Sequence, residues 1–290
     1  MAEYVLMTDS TSDLPWEYYA ENDITVVSLS YIIDGVVSTD EMAAQDHYQS
    51  FYAQLRSGKQ STTSQVNTEQ FTAAMTPILE SGKDILYIAF SSNLSGSCQS
   101  GIQAAKALGK RFPERKIRVI DSLSASLGEG LLVLYAVEMR DAGASLDAVG
   151  DWVENHKLKL HHWFTVDDLN HLKRGGRVSS ASAMIGTLLN IKPVLHVNEE
   201  GLLIPVEKAR SRKKAIKRLF EKLVENEAQW DHGWIAISHG DCLEDALTLK
   251  QMVEQKYTFE KIVVSHVGSV IGSHSGAGTL AFFFLSGPRV

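Results

Sequence analysis

The first half of this 290-residue chain alternates short apolar runs with helical patterns, and that alternation restricts the fold more than any other feature. Strand-length runs lie at Tyr4–Thr8, Thr25–Ile33, Asp84–Phe90 and Ile117–Ile120. Between them Tyr48, Phe51, Tyr52 and Leu55 fall on one helix face, with Gly58 placed to end that helix. Asn67-Thr68-Glu69-Gln70 reads as a capping box opening the next helix, which Pro77 should kink or shorten. Further helices are predicted over Ser97–Phe112, Ser126–Arg140 and Leu146–Lys159. Strands joined through helices must run parallel, because the crossover returns the chain to its starting edge, so a doubly wound α/β sheet is expected. The tight Asp34-Gly35 pair is a hairpin signal leading into Val36-Val37.

Past residue 160 the rhythm changes. His162–Val166 reads as a strand, followed by the turn-rich, basic stretch Leu172–Val178. A helix is expected over Ser182–Asn190, then a hairpin of Lys192–Val197 with Leu202–Val206. Ile216, Leu219, Phe220, Leu223 and Val224 form a helical stripe, and strands at Trp234–Ser238 and Lys261–His266 flank a helix over Leu243–Lys256. At roughly 100–200 residues per domain the length suits two, and the change of rhythm puts the boundary near 160, giving 1–160 and 161–290.

A net charge of −7 argues against nucleic acid as the main partner. Cys98 and Cys242 form no CxxC pair, and the scattered histidines have no metal spacing, so both cysteines read as small apolar residues and no metal is assigned. The opening Met1-Ala2-Glu3-Tyr4 lacks a secretory pattern, and the apolar run Leu280–Leu285 is far short of the ~20 residues that span a bilayer. A cytoplasmic, soluble protein is expected.

Three segments rich in hydroxyls and glycine carry the chemistry: Ser61–Gln65, Ser91–Ser97 and Gly272–Gly278. Thr63 and Ser64 are either turn and capping hydroxyls or donors to a ligand oxygen. Ser95-Gly96 follows a strand and precedes a helix, where backbone N–H groups converge on an anion and glycine admits close approach, although such loops also cap the helix alone. His274, flanked by Ser273 and Ser275 between glycines, can accept from a hydroxyl or donate to a carboxylate, or be structural. None of the three segments contains lysine or arginine, so a singly charged carboxylate fits better than a polyphosphate. Ser95 lacks the G-x-S-x-G elbow of a hydrolase, since Asn93 and Ser97 occupy the glycine positions, and no P-loop exists. Two basic segments, Lys173–Arg177 and Arg210–Arg218, are either solvated surface or forks for an anionic partner.

In Asp9–Leu14, Thr63-Ser64-Gln65, Leu94–Ser97, Leu172–Arg177 and Ile271–Gly278 the chain resembles the DegV family, which includes the fatty-acid-binding subunits of bacterial fatty-acid kinase. The order and spacing match over essentially the whole length. The resemblance implies two α/β domains, a parallel sheet followed by a mixed one, gripping one long-chain fatty acid. Thr63 and Ser95, with their neighbours Ser64 and Gly96, would hold the carboxylate and His274 would complete the network. Arg177 and Arg210 would dock the kinase, with Arg174 the alternative to Arg177. The protein would be a non-catalytic carrier that hands acyl-phosphate to an acyltransferase or membrane surface for phospholipid synthesis. A lipid-responsive regulator, or a hydrolase or phosphatase using Ser95 and His274, are the alternatives. The sequence departs from the family at Val66 (usually proline), Ser97-Cys98 (usually Thr-Tyr), Ala277 (often proline) and Ala281 (often glycine), differences that bear on tunnel shape.

Overall fold

The chain begins β1 (Tyr4–Asp9), α1 (Trp16–Glu21), β2 (Thr25–Val27), β3 (Ser30–Ile33), β4 (Val36–Thr39), α2 (Gln45–Arg56) and β5 (Ser61–Ser64). It continues through α3 (Thr68–Glu80), β6 (Asp84–Ala89), α4 (Ser97–Arg111), β7 (Ile117–Asp121), α5 (Leu127–Asp141) and α6 (Leu146–His156). The later part runs β8 (Leu160–Thr165), α7 (Asn170–Arg174), β9 (Lys192–Val197), β10 (Leu203–Ala209) and α8 (Arg212–Glu225). It ends with β11 (Trp234–His239), α9 (Leu243–Glu254), β12 (Lys261–His266), α10 (Ser269–Ser275) and β13 (Leu280–Leu285). This computed structural model describes residues 3–40, 45–178, 191–227 and 233–289, and the expected helix at Ser182–Asn190 lies outside them.

The parallel sheet has the order β2-β1-β6-β7. Met7, Ile85 and Tyr87 pack on one face against Phe71 of α3 and Leu108 of α4. Leu6, Leu86 and Ile120 pack on the other against Leu131 of α5 and Val149 of α6. A second sheet has the order β10-β9-β8-β13-β11-β12, parallel only between β11 and β12. The helix α5 is shared, since it contacts β1 and β6 on one side and β11 and β13 on the other. That position explains its composition: Leu127, Leu131, Leu132, Val133, Leu134 and Val137 leave no polar stripe because the helix is buried nearly all round. The run Leu280–Leu285 is the central strand β13. Its alternate residues Ala281, Phe283 and Leu285 face α5, while Leu280, Phe282 and Phe284 face the core under α8 and α9.

Four local readings differ from the pattern. Thr25–Ile33 is two strands, because Leu29 leaves the parallel sheet: its N–H donates to Ser10 Oγ at 3.1 Å and its carbonyl accepts Asp40 N–H at 2.8 Å. The chain then enters a small antiparallel sheet of order β4-β3-β5, turned by Asp34 and Gly35 at φ 53° and 79°. Ser61–Ser64 is a strand of that sheet, with Thr63 opposite Tyr31, and not a loop. Ser269–Ser275 is helical, so His274 sits in a last helical turn. Pro77 is accommodated in the final turn of α3, which stops at Glu80. Among the described residues no helix is long and apolar enough to cross a membrane.

Candidate functional site

A cavity of about 320 Å³ opens at the carboxyl ends of β6 and β7, the edge where open α/β sheets place ligands. Its walls are largely apolar. Phe90 and Leu94 follow β6 and Ala125 follows β7, while Phe164 of β8 and Ala281 of β13 close it from the mixed sheet. Thr63, Ser64, Ser95, Gly96 and His274 all line this cavity, although 211 positions separate Thr63 from His274.

At one end Thr63 Oγ1 lies 2.7 Å from His274 Nε2. A Cβ on Gly175 would overlap His274 Nδ1, so the paired glycines after α7 give the imidazole its room. Burial, reinforced by the Arg177 guanidinium, lowers the pKa of His274 to about 4 and keeps the ring neutral at pH 7. With its proton on Nε2 the ring donates to Thr63, leaving the threonine hydrogen available to a ligand oxygen.

Ser95 lines the cavity and also holds the first residue of α4. Its Oγ accepts Ser97 N–H at 3.2 Å and lies 3.0 Å from Ser97 Oγ, which in turn accepts Val66 N–H. No hydrogen bond joins it to His274, which is engaged with Thr63. A Cβ on Gly96 would overlap Gln65 Oε1, so glycine here lets β5 and α4 close on each other.

Arg177, expected at the surface, is half-buried. Its Nε and Nη2 donate to Leu94 O at 3.1 and 3.0 Å and its Nη1 donates to Gly175 O at 2.6 Å. It thereby clamps the turn after α7 to the loop before Ser95 and brings to the cavity a cation that the three hydroxyl segments lack. Arg174 and Arg210 are exposed, and Arg174 Nη2 reaches His171 Nδ1 at 3.1 Å. A second, polar chamber of about 260 Å³ is lined by His171, Arg174 and Ser61, and shares Thr63, Arg177 and His274 with the first. Those three residues form the partition between the two.

Gln65, in the first hydroxyl segment but given no role there, and Ser126, which escaped the sequence reading, also line the apolar cavity. Ser126 holds a left-handed φ of 54°, donates to Asp13 and lies 2.9 Å from Ser238 Oγ. Its signal was present: Ser122–Ser126 is a hydroxyl run between strand and helix, like Ser91–Ser97. Beneath it Asp13 and Asp40 approach each other over Gly268, where a Cβ would sit 2.6 Å from Asp13 Oδ1 and 3.4 Å from Asp40 Oδ2. Burial pushes Asp40 up to about 6 and Asp13 well above the usual carboxylate range. Burial likewise pushes the Cys98 and Cys242 thiols up to about 12, leaving both unreactive as thiolates. Among the described residues no cluster of histidine, cysteine and carboxylate groups is arranged for a metal ion.

The model of the DegV family of uncharacterised proteins matches residues 3–287. A DegV domain-containing protein of Clostridium perfringens is 45% identical over 285 residues, 98% of each chain. Among solved structures, a fatty-acid-binding DegV family protein from Thermus thermophilus matches with TM-score 0.87 and 33% identity, covering 98% of this chain and 99% of that one. The fatty acid kinase B3 protein of Streptococcus pneumoniae, loaded with linoleic acid, shares the fold at TM-score 0.85 and 22% identity, with 99% and 100% covered. The sheet order, the family match along nearly the whole sequence and the end-to-end identity with the clostridial protein agree: this chain belongs to the DegV family.

Proposed function

We propose that the chain is a non-catalytic carrier that binds one long-chain fatty acid between residues 1–160 and 161–290 and presents its carboxylate to a separate fatty-acid kinase. The observation that carries this reading is a cavity walled by Phe90, Leu94, Phe164 and Ala281 that ends at Thr63, Ser95 and His274. Withdrawing a ~16-carbon tail from water contributes about 0.8 kcal/mol per buried methylene, the main drive for binding. The hydroxyls of Thr63 and Ser95 offset the desolvation of the head group, with Ser64 and Gly96 beside them. His274, neutral through burial, takes part as donor or acceptor without a net charge of its own.

The kinase would then phosphorylate the carboxylate, and the carrier would shield the acyl-phosphate on its way to an acyltransferase or membrane surface in the cytoplasm. The solved DegV relative described as fatty-acid-binding supports the lipid part of this reading. Native mass spectrometry of gently purified protein, with extraction of whatever lipid is retained, tests it: one fatty acid per chain is expected. A chain that is purified empty and takes up no fatty acid when offered it overturns the proposal.

A further inference from the structure

We propose that the apolar cavity takes a fatty acid whose tail carries a hydroxyl group, and that His162 of β8 recognises that hydroxyl from the cavity wall. This rests on the fatty-acid reading above and narrows its substrate class.

An unpaired polar ring in an apolar wall points there first. His162 lines the cavity, is 4% exposed, and among the described residues its side chain has no hydrogen bond, with Nδ1 buried and unpartnered. Its contacts are aromatic, with ring centroids 4.4 Å from Phe283 and 5.6 Å from Phe164. The next residue along the strand shows the usual solution: His161 Nε2 lies 3.0 Å from Gly287 O. A polar group taken out of water without a partner is destabilising, so the unpaired ring favours a ligand that pairs it.

The sheet register places this ring away from the head group. Strand β8 runs antiparallel to β13, with Thr165 opposite Leu280, Phe164 opposite Ala281 and His162 opposite Phe283. Thr279 lines the cavity in the turn between α10 and β13, so each step from Thr165 back toward Leu160 leads away from His274. Alternate residues share a face at about 3.4 Å per residue, which sets His162 about 7 Å past Phe164 on the same wall. Across β9, Val197 pairs with Leu203 of β10, and Trp163 pairs with His196, so Leu203 stands level with His162. Leu203 packs in turn on Phe90 and Ala125, which are apolar. A free water needs two or more polar partners, and these side chains supply none. A hydroxyl held by the tail needs only the ring.

Charge and hydrogen count decide the kind of substituent. Burial, then Arg289 and His196, hold the pKa of His162 well below its ordinary value, so the ring is neutral at pH 7. A neutral ring offers no charge to a second carboxylate. It has one N–H and one bare nitrogen, and a hydroxyl accepts from the first or donates to the second, so it fits either tautomer. A ketone oxygen only accepts and fits the N–H alone.

The test is a competition series in which each ligand displaces a fluorescent fatty acid. The ligands are a long-chain fatty acid and its monohydroxy counterparts of equal length, with the hydroxyl moved carbon by carbon along the tail. Wild type should show one favoured position, bound about ten-fold more tightly than hydroxyls elsewhere on the tail and at least as tightly as the plain acid. His162→Leu should flatten the series and tighten the plain acid, while His162→Gln should keep part of the preference. The wild-type series decides alone should a variant fail to fold. Hydroxy acids that are all weaker than the plain acid, with no favoured position, overturn the proposal and leave the carrier reading intact. A preference that persists unchanged in folded His162→Leu overturns the assignment to His162. Wild type that binds no acid of either kind overturns both readings.

Discussion

The two chambers that meet at Thr63, Arg177 and His274 are built by opposite means. The apolar one is walled by residues fixed at strand ends and in strand centres: Phe90 after β6, Phe164 in β8 and Ala281 in β13, all nearly inaccessible to solvent. The polar one is assembled from the exposed turn of Arg174 to Gly176, where Gly176 holds a φ of 70°, and from the edge of β5. A wall of buried strands is close-packed and transmits any change of volume. A wall of long, solvated side chains can lose one donor with little consequence for the fold. The shape of the apolar space and the charge that faces the polar one are thus set by separate parts of the molecule.

The largest effect is expected from filling the rigid chamber. Ala281→Phe directs a ring into the cavity from β13 and displaces about four methylenes, a loss of roughly 3 kcal/mol, or more than a hundred-fold in affinity. Because overpacking a core also costs about 1–3 kcal/mol, thermal denaturation of the empty variant must accompany the binding measurement. A folded variant with undiminished fatty-acid affinity would place the tail elsewhere.

The partition itself should register in the pH dependence of stability. In the folded chain His274 titrates at about 4, below its ordinary 6.5. The unfolded chain therefore binds a proton over that interval that the folded one refuses, so this contribution is complete above pH 6.5 and lost as pH falls toward 4. Urea unfolding should show the wild type losing roughly 2–3 kcal/mol more than His274→Gln between pH 7 and pH 4. A bound carboxylate favours the imidazolium, so loading with fatty acid should shrink that difference. Parallel pH profiles for the two proteins would remove His274 from the account. A smaller loss, about 1–2 kcal/mol or near ten-fold in affinity, is expected for Thr63→Val, which keeps the shape of the side chain and deletes the hydroxyl facing His274.

How much of this was legible depends on the range of the interactions. The parallel sheet followed from local alternation, since each strand and each covering helix carries its own period. The central strand β13 did not, because a strand buried on both faces has no period, and Leu280–Leu285 looked like nothing beyond a short apolar run. Ser61–Ser64 has the composition of a loop and is held as a strand only by pairing with β3. Thr63, Ser95 and His274 could each be singled out by local chemistry, but their convergence is tertiary. Arg177 was the hardest case: a charged residue beside two glycines reads as surface or as a fork for an anion, and its bonds to the Leu94 carbonyl, 83 positions away, are invisible to local pattern.

The smallest effect separates lining from capping. Ser97 Oγ already accepts Val66 N–H, so its own hydrogen can go to Ser95 Oγ, which leaves the Ser95 hydrogen for a ligand. Ser95→Ala therefore removes one donor to the head group and one acceptor for Ser97 N–H at the start of α4. The first loss should lower fatty-acid affinity by about 1 kcal/mol, some five-fold, and the second should lower the stability of the empty protein by about 0.5–1 kcal/mol. Titration calorimetry and thermal denaturation read the two losses independently. If stability falls while affinity stays at the wild-type value, Ser95 serves the start of α4 alone, and the polar end of the apolar chamber reduces to Thr63 and His274.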